Sequence, residues 1–460
     1  MRDEDLLDAV ATAIRPKVAG EKAVVFCSHG ADAVHWRHLL AAAKTADVLV
    51  LAFDDGLAAF PSTPGIRTAA QLLAERHALL ATLATASPLS ALVDRFDPHK
   101  RATLLITDPL NPTVTGSRPR LGAKHPSWSF FEHKSVVDVL WDSIGLPRAE
   151  SAVYDAPGTL CRPEPASNTD LVYAGQPYGA VPSAGGEDIR WSSASVPSPI
   201  VDPAGRQRVR IMPMLAGTPC RLHGVVLTDS TVAFTPLELL VPRRPADGTF
   251  LCTGTAPMPE SQQPRLIELT RWMGEALRRR LGYCGGFSVD GILTKSGFRP
   301  TDLNTRVTSA FEAAPPPLRV AVHASALLAQ AGLRGADAAG LAEKAHRALN
   351  NAAHLTLLTV VKRPTPAARR DIRWSGLSLV ACPPDEAHGS IEVTGGARGT
   401  VLRVRLGRDH LPADVSPQEV AVLAFRAADE LLGTGLGDLQ PPPVTGGAAP
   451  TQRSGATWPL

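Results

Sequence analysis

Hydrophobic positions recur along this chain with two periods, near two and near 3.6 residues, and the switches between them mark its elements. KAVVFCSHG is a short apolar run ending in polar residues and glycine; DAVHWRHLLAAAK follows with helical spacing, and ADVLVLAFDDG is a second strand. A helix near Arg67 to Leu83 and a strand at ATLLITDPLNPT continue the alternation, which predicts an α/β unit with a mostly parallel sheet. Ligands of such sheets sit beyond the C-terminal strand ends. Ser28-His29-Gly30 and Asp108 are therefore candidate binding positions, or else ordinary strand-to-helix turns.

In WSFFEHKSVVDVLWDSIGLP, Val136, Val137, Leu140, Trp141 and Ile144 keep helical spacing, and Gly145 with Pro147 ends the helix. Lys134 stands at its start, where a cation opposes the helix dipole unless an anion is near. From Ala174 to Trp191 the stretch AGQPYGAVPSAGGEDIRW has no period. Loops this rich in glycine let backbone N–H groups approach phosphate, although most are simply turns. RVRIMPMLAGTPCRLHGVVLTDSTVAFTPLELLVPR predicts antiparallel strands, and Ser261 to Leu281 an amphipathic helix on Leu266, Leu269, Met273, Leu277 and Leu281, stopped by Gly282. Beyond Phe311, two helical stretches precede strand-like HLTLLTVVK, LSLVAC and TVLRVRL and a helix over Pro417 to Leu432, which together read as a small α+β part. From Gly433 the chain is Gly/Pro-rich and is expected to be poorly ordered.

Between two of these elements lies GFSVDGILTKSGFRPTDLNTRVTSAF, Gly286 to Phe311. Phe287, Val289 and Leu293 alternate with Ser288, Asp290 and Thr294; after Lys295-Ser296-Gly297, Asp302, Asn304 and Arg306 alternate with Leu303 and Val307. A three-residue turn centred on Ser296 sets Thr294 opposite Phe298, Asp290 opposite Asp302 and Ser288 opposite Asn304. Two carboxylates directly opposite on one face repel unless a cation lies between them. Mg2+ suits such oxygen ligands, with Asn304 adding a carbonyl and Arg306 a cationic fork for phosphate or carboxylate. The alternative is a solvated outer strand face.

Composition narrows the rest. At 460 residues the chain predicts two to four subdomains, and with 44% hydrophobic and 20% charged residues it is ordinary for a soluble protein. A net charge of +3 is too balanced to indicate a nucleic-acid or membrane partner. The acidic start MRDEDLLDAV differs from a basic signal peptide, and the six cysteines are scattered singly, which together predict a cytoplasmic protein. No G-x-x-x-x-G-K-[ST] occurs, which argues against a P-loop nucleotide site. Dimers being the commonest assemblies, a homodimer is possible.

The order of these pieces resembles the ATP-grasp superfamily of carboxylate–amine ligases. The matching words are HKSVVDVLWDSIGLP, SAGGEDIRW, MPMLAG with TPCRLHGVV, and Asp290 followed by Asp302-x-Asn304-x-Arg306. The resemblance implies an α/β and α+β multidomain fold: an N-terminal α/β pre-grasp domain over 1–126, an ATP-grasp core with antiparallel sheets over 127–335, a small α+β domain over 336–432 and a flexible tail over 433–460. It implies ATP and one or two Mg2+, with Asp290, Asp302 and Asn304 on the metal. Lys134, Gly185 and Gly186 would lie on the phosphates, backbone groups at Met214 and Leu215 on adenine, and Arg306 on the acyl phosphate and its tetrahedral successor. ITDPLNP, FFEHKSVVDVLW, MPMLAGTPCRLHG and TDLNTRVT look like the peptide ligases of pheganomycin-type biosynthesis, which join an unusual amino acid to an amino acid or peptide amine. Three departures stand out. DLVYAGQ lacks the usual second lysine, a charge that Arg190 would supply; Met212 replaces the hinge acid; and Asp302 stands where Glu is commoner. A phosphotransferase on the same fold and a non-catalytic nucleotide-binding scaffold are the competing readings.

Overall fold

The computed structural model describes residues 3–53, 69–107, 117–122, 124–156, 171–177, 189–192, 207–311, 314–333, 338–361, 363, 365–396 and 399–442. Asp108, Gly185 and Gly186 lie outside them, as do most of the glycine-rich stretch and the chain beyond 442.

Among the described residues the fold is mixed α/β, with three sheets. The N-terminal unit runs α1 (Asp3–Val18), β1 (Lys22–Cys27), α2 (Ala33–Ala42), β2 (Asp47–Ala52), α3 (Ala69–Ala81), α4 (Pro88–Phe96), β3 (Thr103–Ile106) and β4 (Arg120–Leu121). Its sheet is parallel in the order β2-β1-β3-β4, as the alternation predicts. The apolar runs reflect burial on both faces. Val24 and Phe26 of β1 join Leu80, Leu89 and Val93 on one side, while Ala23, Val25 and Cys27 join Val10, Ile14, Trp36 and Leu39 on the other.

The chain then passes through α5 (Pro126–Phe130), α6 (Val137–Ser143), β5 (Ala152–Ala156), β6 (Leu171–Pro177), β7 (Ile189–Ser192), β8 (Gln207–Pro213), β9 (Thr218–Val226), β10 (Thr231–Ala233), β11 (Leu237–Leu240), β12 (Arg243–Arg244), β13 (Thr249–Phe250), β14 (Gly254–Pro257), α7 (Gln263–Leu281), β15 (Gly285–Thr294) and β16 (Gly297–Asn304). One antiparallel sheet has the order β12-β13-β7-β6-β8-β5. The segment expected to form one antiparallel run is thus split: β8 stays in this sheet, and the chain crosses at 214–217 to β9 in the other. Helix α7 ends where expected, at Gly282 with φ 60°, and buries Leu266, Leu269, Met273 and Leu277 against Leu222, Val289 and Leu303. Val137 and Trp141 of α6 close the same core.

After α8 (Pro316–Gln330) and α9 (Ala338–Asn350) come β17 (His354–Val361), β18 (Ala368–Ser375), β19 (Ser378–Ala381), β20 (Gly389–Gly396), β21 (Gly399–Gly407) and α10 (Pro417–Leu432). These strands continue the hairpin's sheet, whose order is β16-β15-β9-β11-β14-β17-β21-β20-β18-β19, with β10 beside β9. The sheet therefore runs through the boundary expected near 336. Helix α10 covers one face of the extension, and Phe425 packs with Ile391, Leu402 and Val404. Residues 433–442 correct the expectation of disorder from Gly433: the Asp429 carboxylate accepts from the Leu436 and Gly437 N–H groups, Leu436 is buried, and Gln440 exchanges backbone bonds with Arg243.

Candidate metal and anion site on the β15–β16 hairpin

The hairpin keeps the predicted facing where it matters and departs from it at the turn. Ser288 is opposite Asn304 and Asp290 opposite Asp302, but Thr294 is opposite Gly297 and Leu293 opposite Phe298. The turn is therefore the two residues Lys295-Ser296, with the Thr294 hydroxyl donating to the Gly297 carbonyl at 2.8 Å. Thr301 is the extra residue that restores the register; a bulge adds one residue to one strand and re-aims its neighbours. It is held on both sides, its hydroxyl donating to the Asp290 carbonyl at 3.1 Å and its carbonyl accepting from Arg210 Nη1 at 2.8 Å. Turn and bulge offset one another.

Strand β9 adds the other half of this face. Arg221 is opposite Asp290 and His223 opposite Ser288. The Arg221 guanidinium grips Asp290 with two bonds, Nε to Oδ1 at 2.7 Å and Nη2 to Oδ2 at 2.8 Å. Burial works against the Arg221 charge, and Asp290 outweighs it, raising its pKa above the ordinary value. Lys134, buried just before α6, lies 2.7 Å from Asp302 Oδ2. Its side chain thus reaches the hairpin, where the sequence places an anion for it. His223 is pushed down to about 4, first by burial, against the bond it makes to the Thr235 carbonyl at 2.8 Å. It is a neutral core histidine at pH 7.

Asn304 joins this pair of carboxylates to a second cluster. Its Nδ2 is 3.5 Å from Asp290 Oδ2, and its Oδ1 accepts from Arg306 Nη2 at 2.5 Å. Arg306 Nη1 lies 2.7 Å from Glu132 Oε2, while Glu132 Oε1 takes Lys124 Nζ at 2.7 Å and the Thr305 N–H at 2.6 Å. Burial alone would raise the Glu132 carboxyl; the Arg306 and Lys124 charges, with bonds from Lys124 and Thr305, together bring it down to about 2. Glu132 is therefore a fixed anion that sets the position of two cations.

The remaining expected residues are more dispersed. Met214 and Leu215 are half-buried in the crossing between the two sheets. Arg190 is on β7, opposite Tyr173 and Thr249, and donates to the Ile189 carbonyl at 3.1 Å. Ser28-His29-Gly30 follows β1 as a turn closed by Asp32 N–H on the His29 carbonyl, and Asp32 pairs with Arg319 of α8. Sequence reasoning missed Arg221, Glu132, Lys124 and Arg210. The signal for Arg221 was present: in TPCRLHGVV it is a charge inside a run that is otherwise mostly apolar.

Among the described residues no group of three His, Cys, Asp or Glu is placed to hold a metal ion. The donors on this face are two carboxylates and one amide, all oxygen, and each carboxylate already has a cation within hydrogen-bond distance. The buried Ser288 hydroxyl on the same face has no hydrogen-bond partner among the described residues. Such a set fits Mg2+ brought in with phosphate oxygens, since that ion is often held by one or two carboxylates plus substrate. It does not form an all-protein cage.

No family model matches the sequence, and no curated protein matches it. Among solved structures, the chain is similar to an L-amino acid ligase from Bacillus licheniformis, at 8% identity and a TM-score of 0.42 over 90% of this chain and 98% of that one. It is also similar to a phosphoribosylamine–glycine ligase from Thermotoga maritima (13%, TM-score 0.44, 89% and 96%) and to biotin carboxylase from Campylobacter jejuni (10%, TM-score 0.44, 88% and 85%). At this depth of similarity, what the site does is read from its own residues.

Proposed function

We propose that the chain is an ATP-grasp carboxylate–amine ligase. The observation that carries this reading is the single sheet face on which Asp290 opposes Asp302, with Asn304 and Arg306 alongside and Lys134 and Arg221 pressed against the carboxylates. A half-buried face with this much paired charge is costly to build for stability alone. It is suited to a ligand that brings both phosphate and metal.

In the proposed reaction a substrate carboxylate oxygen attacks the γ-phosphorus of ATP, and the bond to the β,γ-bridging oxygen breaks to release ADP. The amine nitrogen then adds to the acyl carbon, loses a proton, and inorganic phosphate leaves. Asp290, Asp302 and Asn304 would hold one or two Mg2+, whose chemistry is to neutralise charge on phosphate oxygens. Lys134 and Arg221 lie where they can exchange their carboxylate partners for phosphate oxygens, and Arg221 supplies a buried cation that the missing second lysine does not. Arg306, oriented by Glu132 and Asn304, stabilises the acyl phosphate and the oxyanion that follows, a preorganised contact worth about 3 kcal/mol. Adenine would lie against backbone groups at Met214 and Leu215. Arg190, with Gly185 and Gly186, which lie outside the described residues, would attend the triphosphate.

The finer reading is a peptide ligase of pheganomycin type, acting in the cytoplasm on small-molecule acids and on amino-acid or peptide amines in natural-product biosynthesis. The sequence words quoted above support it. Among the described residues no helix is long and apolar enough to cross a membrane.

Incubating the protein with ATP, Mg2+ and a pool of amino acids and short peptides tests the reading. Formation of ADP with a product equal in mass to acid plus amine minus water is expected. A product heavier by one phosphoryl group would favour a phosphotransferase, and failure to bind Mg·ATP would overturn both.

A further inference from the structure

Arg210 stands in one sheet and bonds the other. It is on β8, opposite Val153 of β5 and Ala174 of β6, and its side chain is buried. Two of its nitrogens, Nε and Nη2, each lie 2.8 Å from a carboxylate oxygen of Asp138, in the first turn of α6. The third, Nη1, donates to the Thr301 carbonyl at 2.8 Å. Thr301 is the bulged residue of β16, and its hydroxyl donates to the Asp290 carbonyl at 3.1 Å. The extra residue of a bulge is left out of the strand ladder, and Arg210 supplies a donor to its carbonyl from outside that ladder.

The next residue is Asp302, whose carboxylate lies 2.7 Å from Lys134 Nζ. Thr301 and Asp302 are therefore both tied to the start of α6, one through Arg210 and Asp138 and the other through Lys134. In the other direction, β8 runs from Arg210 into the crossing at 214–217. Met214 is about 13 Å along the chain from Arg210 at the rise of a strand. One guanidinium thus joins the strand that would lead to adenine with the bulge that sets Asp302 opposite Asp290. Its planar fork serves both partners at once; a lysine ammonium has no such fixed fork.

We propose that Arg210 is a positioning residue that couples metal binding to nucleotide binding. It touches neither ligand, and fixes where Asp302 stands relative to the strand beneath adenine. The inference rests on the ligase reading for where adenine and metal lie. A nucleotide without metal engages the β8 side alone and does not depend on this join. A nucleotide with metal spans both sides, and gains only if they are held at the right separation. An arginine that merely neutralised Asp138 would alter stability and leave this difference between the two ligands unchanged.

Calorimetry on the full chain measures the affinity for ADP in EDTA and in saturating Mg2+, and the ratio of the two is the coupling factor. In the wild type Mg2+ is expected to tighten ADP binding. Arg210→Lys, which keeps a cation for Asp138, should lower the ratio by about tenfold while the metal-free affinity stays as it was. Thr301→Val, which leaves Arg210 and Asp138 in place and removes the hydroxyl bond to Asp290, should lower it in the same direction with an unchanged circular dichroism spectrum. If Arg210→Lys does not fold, Thr301→Val decides alone. A wild-type ratio in the folded variants, or a metal-free affinity that falls as far as the metal-loaded one, overturns the proposal and leaves the ligase reading intact. A lowered ratio in variants of a wild type that joins no acid to any amine with Mg·ATP keeps the proposal and overturns the ligase reading. No effect of Mg2+ on ADP binding by the wild type overturns the metal assignment and the proposal with it.

Discussion

Glu132→Gln isolates the anion that holds Lys124 and Arg306 in place. Glutamine keeps the volume and can still accept from the Thr305 N–H, but it leaves buried Lys124 and half-buried Arg306 facing a neutral amide. Two routes give the cost. Breaking a buried ion pair by removing one partner costs about 3–5 kcal/mol. Independently, a carboxyl moved from 4.5 to about 2 contributes roughly 3 kcal/mol at pH 7, at about 1.4 kcal/mol per unit. The sign follows from the folded value lying below the unfolded one: the contribution is complete above the unfolded value and is lost as pH falls from 4.5 towards 2. By pH 3 it should have dropped to roughly half. Urea denaturation of wild type and variant at pH 7, 5 and 3 reads this directly. A gap of about 3 kcal/mol at pH 7 that narrows at pH 3 is expected. Equal stabilities at pH 7, or a gap that does not change with pH, would refute the account of Glu132.

Arg221→Met removes the buried partner of the half-buried Asp290 carboxylate, so the ligand-free protein should lose about 2 kcal/mol in denaturant titrations, and saturating Mg2+ with a non-hydrolysable ATP analogue should recover part of it. Asp302→Asn and Asn304→Ala should each abolish ATP consumption with an unchanged circular dichroism spectrum; full activity in either would remove the metal assignment. His223, lowered to about 4, should titrate near that value by NMR rather than near 6.5, and as a group buried neutral it favours the fold above 6.5 and loses that contribution as pH falls towards 4.

The hairpin face was legible because period-two placement of Asp, Asn and Arg is a local property of sequence, and the strand pair needed only a turn to bring the carboxylates opposite. Its turn was misjudged by one residue, and Thr301 restored the facing through a bulge that no pattern in FRPTDLN announces. The parallel N-terminal sheet was legible for the same local reason. What was hidden is long-range: β17–β21 joining the hairpin's sheet through the pairing of Gly254 with Leu357, and Glu132 reaching Arg306 across more than a hundred residues. Burial of Leu436 and the caps on Asp429 likewise order residues that composition alone marks as loose. Charge inside an apolar run, as at Arg221, was the readable sign of a buried partner.

In the proposed reaction a carboxylate oxygen attacks the γ-phosphorus of ATP directly. Running the reaction with an acid labelled with 18O in its carboxylate and weighing the released phosphate tests it most directly. One labelled oxygen in inorganic phosphate, together with ADP, is the predicted result. Unlabelled phosphate, or label appearing in AMP, would contradict it.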